Sequence, residues 1–592
     1  MPQLQVDATK KTSVNSLGQS SLNISLLDIL LVAILIFATI ILNWRMIRSG
    51  VNGMTDMRWH ITWLQHFSQQ LFEGIWYPRW LAGTNYGYGS PTFVFYPPLV
   101  YYLGSLVKFS GLSIENTLIF LYSLSLFLAG FNFYLFGRHR WGKIASFIGA
   151  LAYMSAPYLA YNLYWVSSLS VAYAIAWIPL GWYLTDLALA KPRWKIGIAI
   201  FWAIFALTHL PNLLLCGLVW LFYTLFFLLD HSWKNVVTTI LFAGLGLGLA
   251  SFFLIPAILE QPLVDIASMQ NVIGDITNGI FGAGLPFIPK KLDFQVSHIF
   301  AHQTGVILIL SAIAFIFCRQ DNKTFSESKR WFFFTLVLAL MMSSLSVPIW
   351  QASATLQKVQ APWRLFSLYA FASSALCGVV VSRIVRLKIP LKIVLSSIVA
   401  AILLLNVGYG YKLARKFPTF RNSGQANLEH LEPARLAMSE PFTDRLIDVE
   451  EYRPVIEQGG ASAEPILEQP KVAVAKGEAK INLEQWKSYH RNFEVIAQEP
   501  STIRVRTYYY PAWHLYLNER LLPIDVFDDG TISFTVQPGN YSVELIYQRT
   551  TAFTWGIIVS LISVLSLIVF NFSLNKKLPS KPQSIEMASR SS

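Results

Sequence analysis

The chain has 592 residues, 54% of them hydrophobic and only 13% charged. Soluble domains carry about 25% charged residues, so this composition excludes a purely water-soluble fold. The formal charge of +13 does not indicate nucleic-acid binding. Residues 412–551 hold 16 basic and 19 acidic side chains, a net of −3, which leaves +16 for the rest of the chain. Those basic residues cluster in short loops between apolar runs, as the positive-inside bias requires.

The N-terminal residues 1–25 are polar, with Lys10 and Lys11, and read as a cytoplasmic tail. The apolar run Leu26–Leu42 has no small-residue cleavage site after it and reads as a retained helix, not a signal peptide. Runs near the ~20 residues needed to span a bilayer follow at about 93–109, 115–136, 143–157, 168–189, 195–209, 211–229, 236–258, 301–318, 331–347, 363–382, 391–411 and 552–574. The expectation is therefore a polytopic α-helical membrane protein with 12 or 13 spanning helices. With both termini cytoplasmic the crossings must be even in number. The weakest run is 93–109, which carries Pro97, Pro98 and Lys108.

The loop 44–92 between the first two runs is long. Within 57–76, Trp59, Trp63, Leu64, Phe67 and Leu71 recur at helical spacing, with polar residues between them. This pattern predicts a helix in the membrane interface. The basic groups Arg138/Arg140/Lys143, Lys191/Arg193/Lys195, Arg319/Lys323/Lys329/Arg330 and Arg383/Arg386/Lys388 orient the runs. They place 158–167, 260–300 and 412–551 on the extracytoplasmic side.

Between Ser328 and Glu429 there is no acidic residue, whereas 19 of the 33 in the chain fall in 412–551. The shift marks a membrane domain over 26–411 and a water-soluble domain over 412–551. From about residue 470 the latter reads as β. Lys471–Val474, Ala479–Leu483, Asn492–Ala497, Thr502–Tyr508, Trp513–Leu517, Ile532–Val536 and Tyr541–Tyr547 are β-branched and aromatic runs. Asp528-Asp529-Gly530 and Pro538-Gly539-Asn540 are turn signals between them. A small sandwich follows. Residues 552–574 form a final spanning helix before a cytoplasmic tail, 575–592. Cys216, Cys318 and Cys377 all lie in apolar runs, so no disulfide framework is implied.

Asp56 is the leading candidate for chemistry, at the predicted start of the loop helix. His60 lies one turn on and faces the same way. The alternative role for Asp56 is a helix cap. Arg364 follows Pro362 at a helix end on the side away from the cytoplasmic basic groups. It is suited to gripping phosphate with two parallel hydrogen bonds or to reaching lipid headgroups. Arg58 and Arg79 are further phosphate candidates. His209 precedes Pro211 at a helix end. His60, His66 and His209 with Asp56 supply ligand types for a divalent cation, without the short spacings of zinc motifs. Glu260, Asp265 and Asp275 read as solvated loop charges.

These motifs carry a resemblance. An acid opening a long first loop, a His one turn on, Gly74-Ile75-Trp76-Tyr77-Pro78-Arg79-Trp80, Gly87-Tyr88-Gly89-Ser90-Pro91 and Tyr96-Pro97-Pro98-Leu99 resemble the multi-spanning GT-C glycosyltransferases. The resemblance extends to Ala156-Pro157-Tyr158, Trp177-Ile178-Pro179-Leu180, Thr208-His209-Leu210-Pro211-Asn212 and Ala361-Pro362-Trp363-Arg364-Leu365-Phe366. It is closest to a bacterial membrane family labelled 6-pyruvoyl-tetrahydropterin synthase-related, a relative of YfhO-like proteins. The label implies no pterin chemistry. The resemblance implies a bacterial inner-membrane enzyme that takes a sugar from a polyprenyl-phosphate carrier on the extracytoplasmic face. Asp56 would be the general base, and a glycan, lipid or protein the acceptor. Many such enzymes have a second acid close in sequence; here Arg58 and His60 stand there, so Glu73 or Glu260 would have to serve. The rival readings are a flippase of lipid-linked glycans and a non-catalytic scaffold of envelope assembly.

Overall fold

The computed structural model describes residues 24–51, 56–226, 232–266, 268, 294–359, 361–416, 448–456, 460–467 and 469–576. Most of the N-terminal tail, the greater part of loop 260–300 with Asp275, most of 412–465 and nearly all of the C-terminal tail lie outside them.

The membrane body is helical. Among the described residues six helices are long and apolar enough to cross a bilayer: Ile114–Trp141, Lys143–Val166, Val296–Phe317, Pro362–Ile384, Ile389–Ala414 and Thr551–Asn571. A bent pair, Trp233–Leu249 with Ser251–Leu259, makes up to seven. This is fewer than the 12 or 13 apolar runs suggest. Several runs form shorter helices, among them Leu26–Leu42, Leu99–Lys108 and Leu210–Leu225. The doubtful run 93–109 folds as two pieces, Thr92–Phe95 and Leu99–Lys108. Ten helical residues rise about 15 Å, half of a hydrocarbon core of about 30 Å.

Helix Leu26–Leu42 starts with a capping box. The Asp28 backbone N–H donates to Ser25 Oγ, and the Asp28 carboxylate accepts from the Ser25 backbone N–H. The same carboxylate pairs with Arg138 at 3.2 Å and Lys143 at 2.9 Å. Nearby, Arg140 pairs with Asp186 at 2.6 Å and Glu327 at 3.3 Å. The basic loop 138–143 is thus neutralised by acids from three other helices, which fixes that end of the bundle.

The loop helix forms at Met57–Phe72. Its polar side chains lie inside the protein: Gln65, His66, Ser68 and Gln70 are buried along with Trp63 and Phe67. Protein covers the polar face, and Gln70 Nε2 donates to the Trp80 carbonyl at 2.8 Å. The Gly87–Gly89 motif has a steric cause. Gly89 has φ of +83°, and a Cβ there would overlap the indole of Trp80, which is wholly buried. Gly74 also has positive φ, +87°, with open space around it. Gly89→Ala is therefore expected to carry both backbone strain and overpacking, each about 1–3 kcal/mol. Gly74→Ala carries the strain alone, so thermal unfolding of the two variants separates the terms.

The β region has two main antiparallel sheets. One orders Val472–Lys476, Ser501–Tyr508, Thr531–Val536 and Asp525–Val526. The other orders Ala479–Trp486, His490–Ala497, Gly539–Tyr547, Trp513–Leu517 and Arg520–Leu522. Phe493, Val495, Val543 and Leu545 from one sheet and Ile503, Val505, Ile532 and Phe534 from the other are buried. The Phe493 and Phe534 rings lie 6.3 Å apart across the sheets. The sheets thus pack as the expected sandwich. The final helix, Thr551–Lys576, returns to the body, where the Phe252 backbone N–H donates to Ser560 Oγ at 3.0 Å.

Candidate active site

Asp56 stands at the N-cap position of helix Met57–Phe72, but its side chain makes no capping bond. The backbone holds it instead. Its N–H donates to the Val166 carbonyl at 3.2 Å, and its carbonyl accepts from the His60 N–H at 3.1 Å. The acceptor Val166 ends a π-helical turn, Asn162–Val166, followed by Ser167 at φ 55°. π-turns and left-handed non-glycine residues concentrate at functional sites. This one opens the chain so that Ser168 hydrogen-bonds the Asp56 carboxylate. Burial raises that carboxyl to about 6, against the positive charges of Arg364 and Arg58 and the Ser168 hydroxyl, which lower it.

Arg364 comes from the short 3-10 turn Pro362–Leu365 that starts the span to Ile384. Proline presets φ for the first turn, which explains the Ala-Pro-Trp-Arg order. His209 sits in the break between helices Lys195–Ala206 and Leu210–Phe226. The Leu99 N–H donates to the Leu207 carbonyl at 3.0 Å, so the Tyr-Pro-Pro-Leu motif is tied to this break. The Asn212 N–H approaches His209 Nδ1 at 3.2 Å. Nε2 lies 3.4 Å from Arg364 Nη1. Donors thus approach both ring nitrogens, the Asn212 N–H at Nδ1 and the Arg364 guanidinium at Nε2, and a neutral imidazole accepts at one of them. Tyr96 is near enough to Asp56, Arg364, Ser168 and Ser170 to interact with each of them.

The structure thus sets Arg364 against His209 and brings its charge to bear on Asp56. The other candidates have different places. Arg58 is exposed, with its guanidinium 4.4 Å from the Trp59 ring centroid, and reaches Asp56 only as a nearby charge. His60 has both ring nitrogens spent: Nδ1 bonds Tyr101 Oη at 2.6 Å, and Nε2 accepts from the Leu169 N–H at 3.0 Å. Burial lowers it to about 3, so it stays neutral. It clips the loop helix to the start of helix Leu169–Ala190. Arg79 donates to the Gln548 carbonyl at 3.0 Å and covers the Phe553 ring at 3.9 Å, fastening the sandwich and final helix to the loop. Glu73 accepts from the Ser488 N–H at 3.3 Å, and Glu260 accepts from the Tyr510 hydroxyl. Neither acid stands beside Asp56 in these bonds.

The cation set Asp56, His60 and His209 does not fit a metal. His60 has no lone pair left, and Arg364 and Arg58 already supply the positive charge at Asp56. Among the described residues no group of three or more His, Cys, Asp or Glu side chains is arranged to hold one.

Sequence reasoning missed the segment Asp448–Pro454. The Asp448 carboxylate accepts from Trp63 Nε1 at 2.7 Å and from the Thr92 hydroxyl, and its N–H donates to Asn85 Oδ1 at 2.8 Å. Two residues before Pro454, the Tyr452 ring stacks on Phe95 at 5.8 Å. This strap closes over the loop helix from a place almost 400 residues away, with no local motif to announce it.

The family model described as 6-pyruvoyl-tetrahydropterin synthase related domain, a membrane protein, matches residues 93–412, more than half of the chain. The chain belongs to this family. The part shared with the family holds Tyr96, Ser168, His209 and Arg364, whereas Asp56 and the strap lie beyond its two ends. No curated protein matches the sequence. Among solved structures, the chain is similar to the Archaeoglobus fulgidus oligosaccharyltransferase in complex with Zn and sulfate. That match has 14% identity and a TM-score of 0.34, over 67% of this chain and 54% of that one. The chain thus spans about half the length of that protein. It is also similar to ArnT from Cupriavidus metallidurans bound to undecaprenyl phosphate, with 15% identity and a TM-score of 0.29, over 60% of this chain and 78% of that one.

Proposed function

We propose that the protein is a membrane glycosyltransferase that takes a sugar from a polyprenyl-phosphate carrier on the extracytoplasmic face of the inner membrane. The observation that carries this reading is the grouping of Arg364 with His209 and, through its charge, with Asp56. The Asp56 carboxylate makes no capping bond, and the Arg364 guanidinium, set against His209, acts on it as a nearby positive charge. Asp56 takes the proton of an acceptor hydroxyl as that oxygen bonds the anomeric carbon. The bond from that carbon to the phosphate oxygen breaks, its electron pair leaves with the phosphate, and the anomer inverts. Arg364 and His209 stabilise the charge that gathers on the departing phosphate. The orientation follows from the basic loop 138–143 at the opposite end of the bundle and the sandwich at this one.

The test uses full-length protein in proteoliposomes with undecaprenyl-phosphate-linked hexoses and pentoses. The expected result is release of undecaprenyl phosphate with the sugar joined to an acceptor or to water. Transbilayer movement of the intact lipid-linked sugar, with no release, would contradict the reading and favour a flippase.

A further inference from the structure

The strap grips two separate pieces of the first loop. Asp448 is buried, and its carboxylate serves both. One oxygen accepts from Trp63 Nε1 at 2.7 Å and from the Val449 N–H at 2.8 Å. The other accepts from the Thr92 hydroxyl. Trp63 belongs to helix Met57–Phe72, and Thr92 opens the short helix Thr92–Phe95. Tyr452, further along the strap, stacks on Phe95 at the other end of that short helix. The strap is itself held from behind. The Asp265 N–H donates to the Arg453 carbonyl at 3.0 Å, and Val264 forms a bridge with Pro454.

These grips lead to the start of the loop helix. The Trp63 ring lies 4.6 Å from that of Tyr96, the residue after Thr92–Phe95, and 5.8 Å from that of His60. The His60 N–H bonds the Asp56 carbonyl. Trp63 stands about 10 Å along the helix from Asp56, at 1.5 Å per residue. The hydrogen-bonded turns between them move together, so a helix shifted at Trp63 is shifted at Asp56. A carboxylate suits the junction because its hydrogen bonds are charge-assisted and roughly twice as strong as neutral ones. A reacting group needs such support from residues behind it.

We propose that Asp448 is a positioning residue: it sets the first turns of helix Met57–Phe72, and through them Asp56, for attack on the anomeric carbon. It touches no substrate. The proposal rests on the transferase reading above.

The test measures release of undecaprenyl phosphate from undecaprenyl-phosphate-linked hexose in nanodiscs. Rates are expressed per bound donor, so that unfolded protein does not count. Asp448→Ala is expected to lower kcat by about 10- to 10²-fold, since a misplacement of about 1 Å can cost about 10²-fold. The donor KM stays nearly unchanged, because Arg364 and His209 lie on other elements. Asp448→Asn keeps an oxygen for Trp63 and restores most of kcat. Gln70→Ala cuts the bond to the Trp80 carbonyl at the far end of the same helix. It is expected to lower the unfolding temperature and to leave kcat per bound donor unchanged. Thr92→Val removes one bond to the carboxylate and keeps the shape of the side chain. It is expected to lower kcat, and it carries the test if Asp448→Ala binds no donor. An unchanged kcat in Asp448→Ala, or in Thr92→Val where that variant carries the test, overturns the proposal. So do equal kcat losses in Asp448→Ala and Gln70→Ala. Absence of release by the wild type overturns the transferase reading, and the proposal with it.

Discussion

Replacing Asp56 with asparagine is expected to lower undecaprenyl phosphate release by about 10²- to 10⁴-fold, the range that a positioned general base contributes. The amide keeps the shape and still accepts from Ser168, so the loss falls on the rate and not on folding. The backbone bonds that hold position 56, from its N–H to Val166 and from its carbonyl to His60, do not involve the side chain. Donor binding should be nearly unchanged, because Arg364 and His209 remain. A variant that unfolds at the wild-type temperature, binds the donor and turns over slowly is the expected pattern.

Replacing Arg364 with alanine is expected to cost about 10²- to 10³-fold in kcat/KM, comparable to removing one donor from a charge-stabilising site. It also has a signature that Asp56→Asn lacks. The Arg364 charge is the largest of the influences holding the Asp56 carboxyl down against burial. Without it, the acidic limb of the pH profile moves to higher pH. Arg364→Lys keeps the charge and loses the planar fork. It is expected to leave the limb near its wild-type place while still lowering kcat/KM. Purified variants assayed across pH separate these two contributions.

How much of this was legible in the sequence differs by element. Within the sandwich, Trp513–Leu517 forms a strand over the residues its alternation marks, and the other runs shift by one to three residues at their ends. Period-two patterns and turn residues are local, so they survive reading without a fold. The Ala-Pro-Trp-Arg and Thr-His-Leu-Pro-Asn motifs also mark real helix breaks, because proline acts through local sterics. The span count was less legible. Apolar composition cannot tell a crossing helix from a short one buried in protein, as with Leu99–Lys108. The polar face of Met57–Phe72 misled for a similar reason: its side chains are buried by the fold, as where Gln70 donates to the Trp80 carbonyl. Asp448 gave no signal at all. It is one among many acids in 412–551, and only the fold places it against the helix that starts at Asp56.

The most direct test of the account is the pH dependence of undecaprenyl phosphate release by the wild-type protein, at low donor concentration, from about pH 4 to about pH 9, a window chosen to bracket a tuned general base. Asp56 works as a base only when ionised, so activity must fall as pH drops through its titration. The account predicts that kcat/KM rises with pH through a midpoint of about 6, above the ordinary 3.8 of an aspartate. It predicts that this limb is missing from the residual activity of Asp56→Asn. A flat wild-type profile, or the same limb at the same pH in Asp56→Asn, would contradict it.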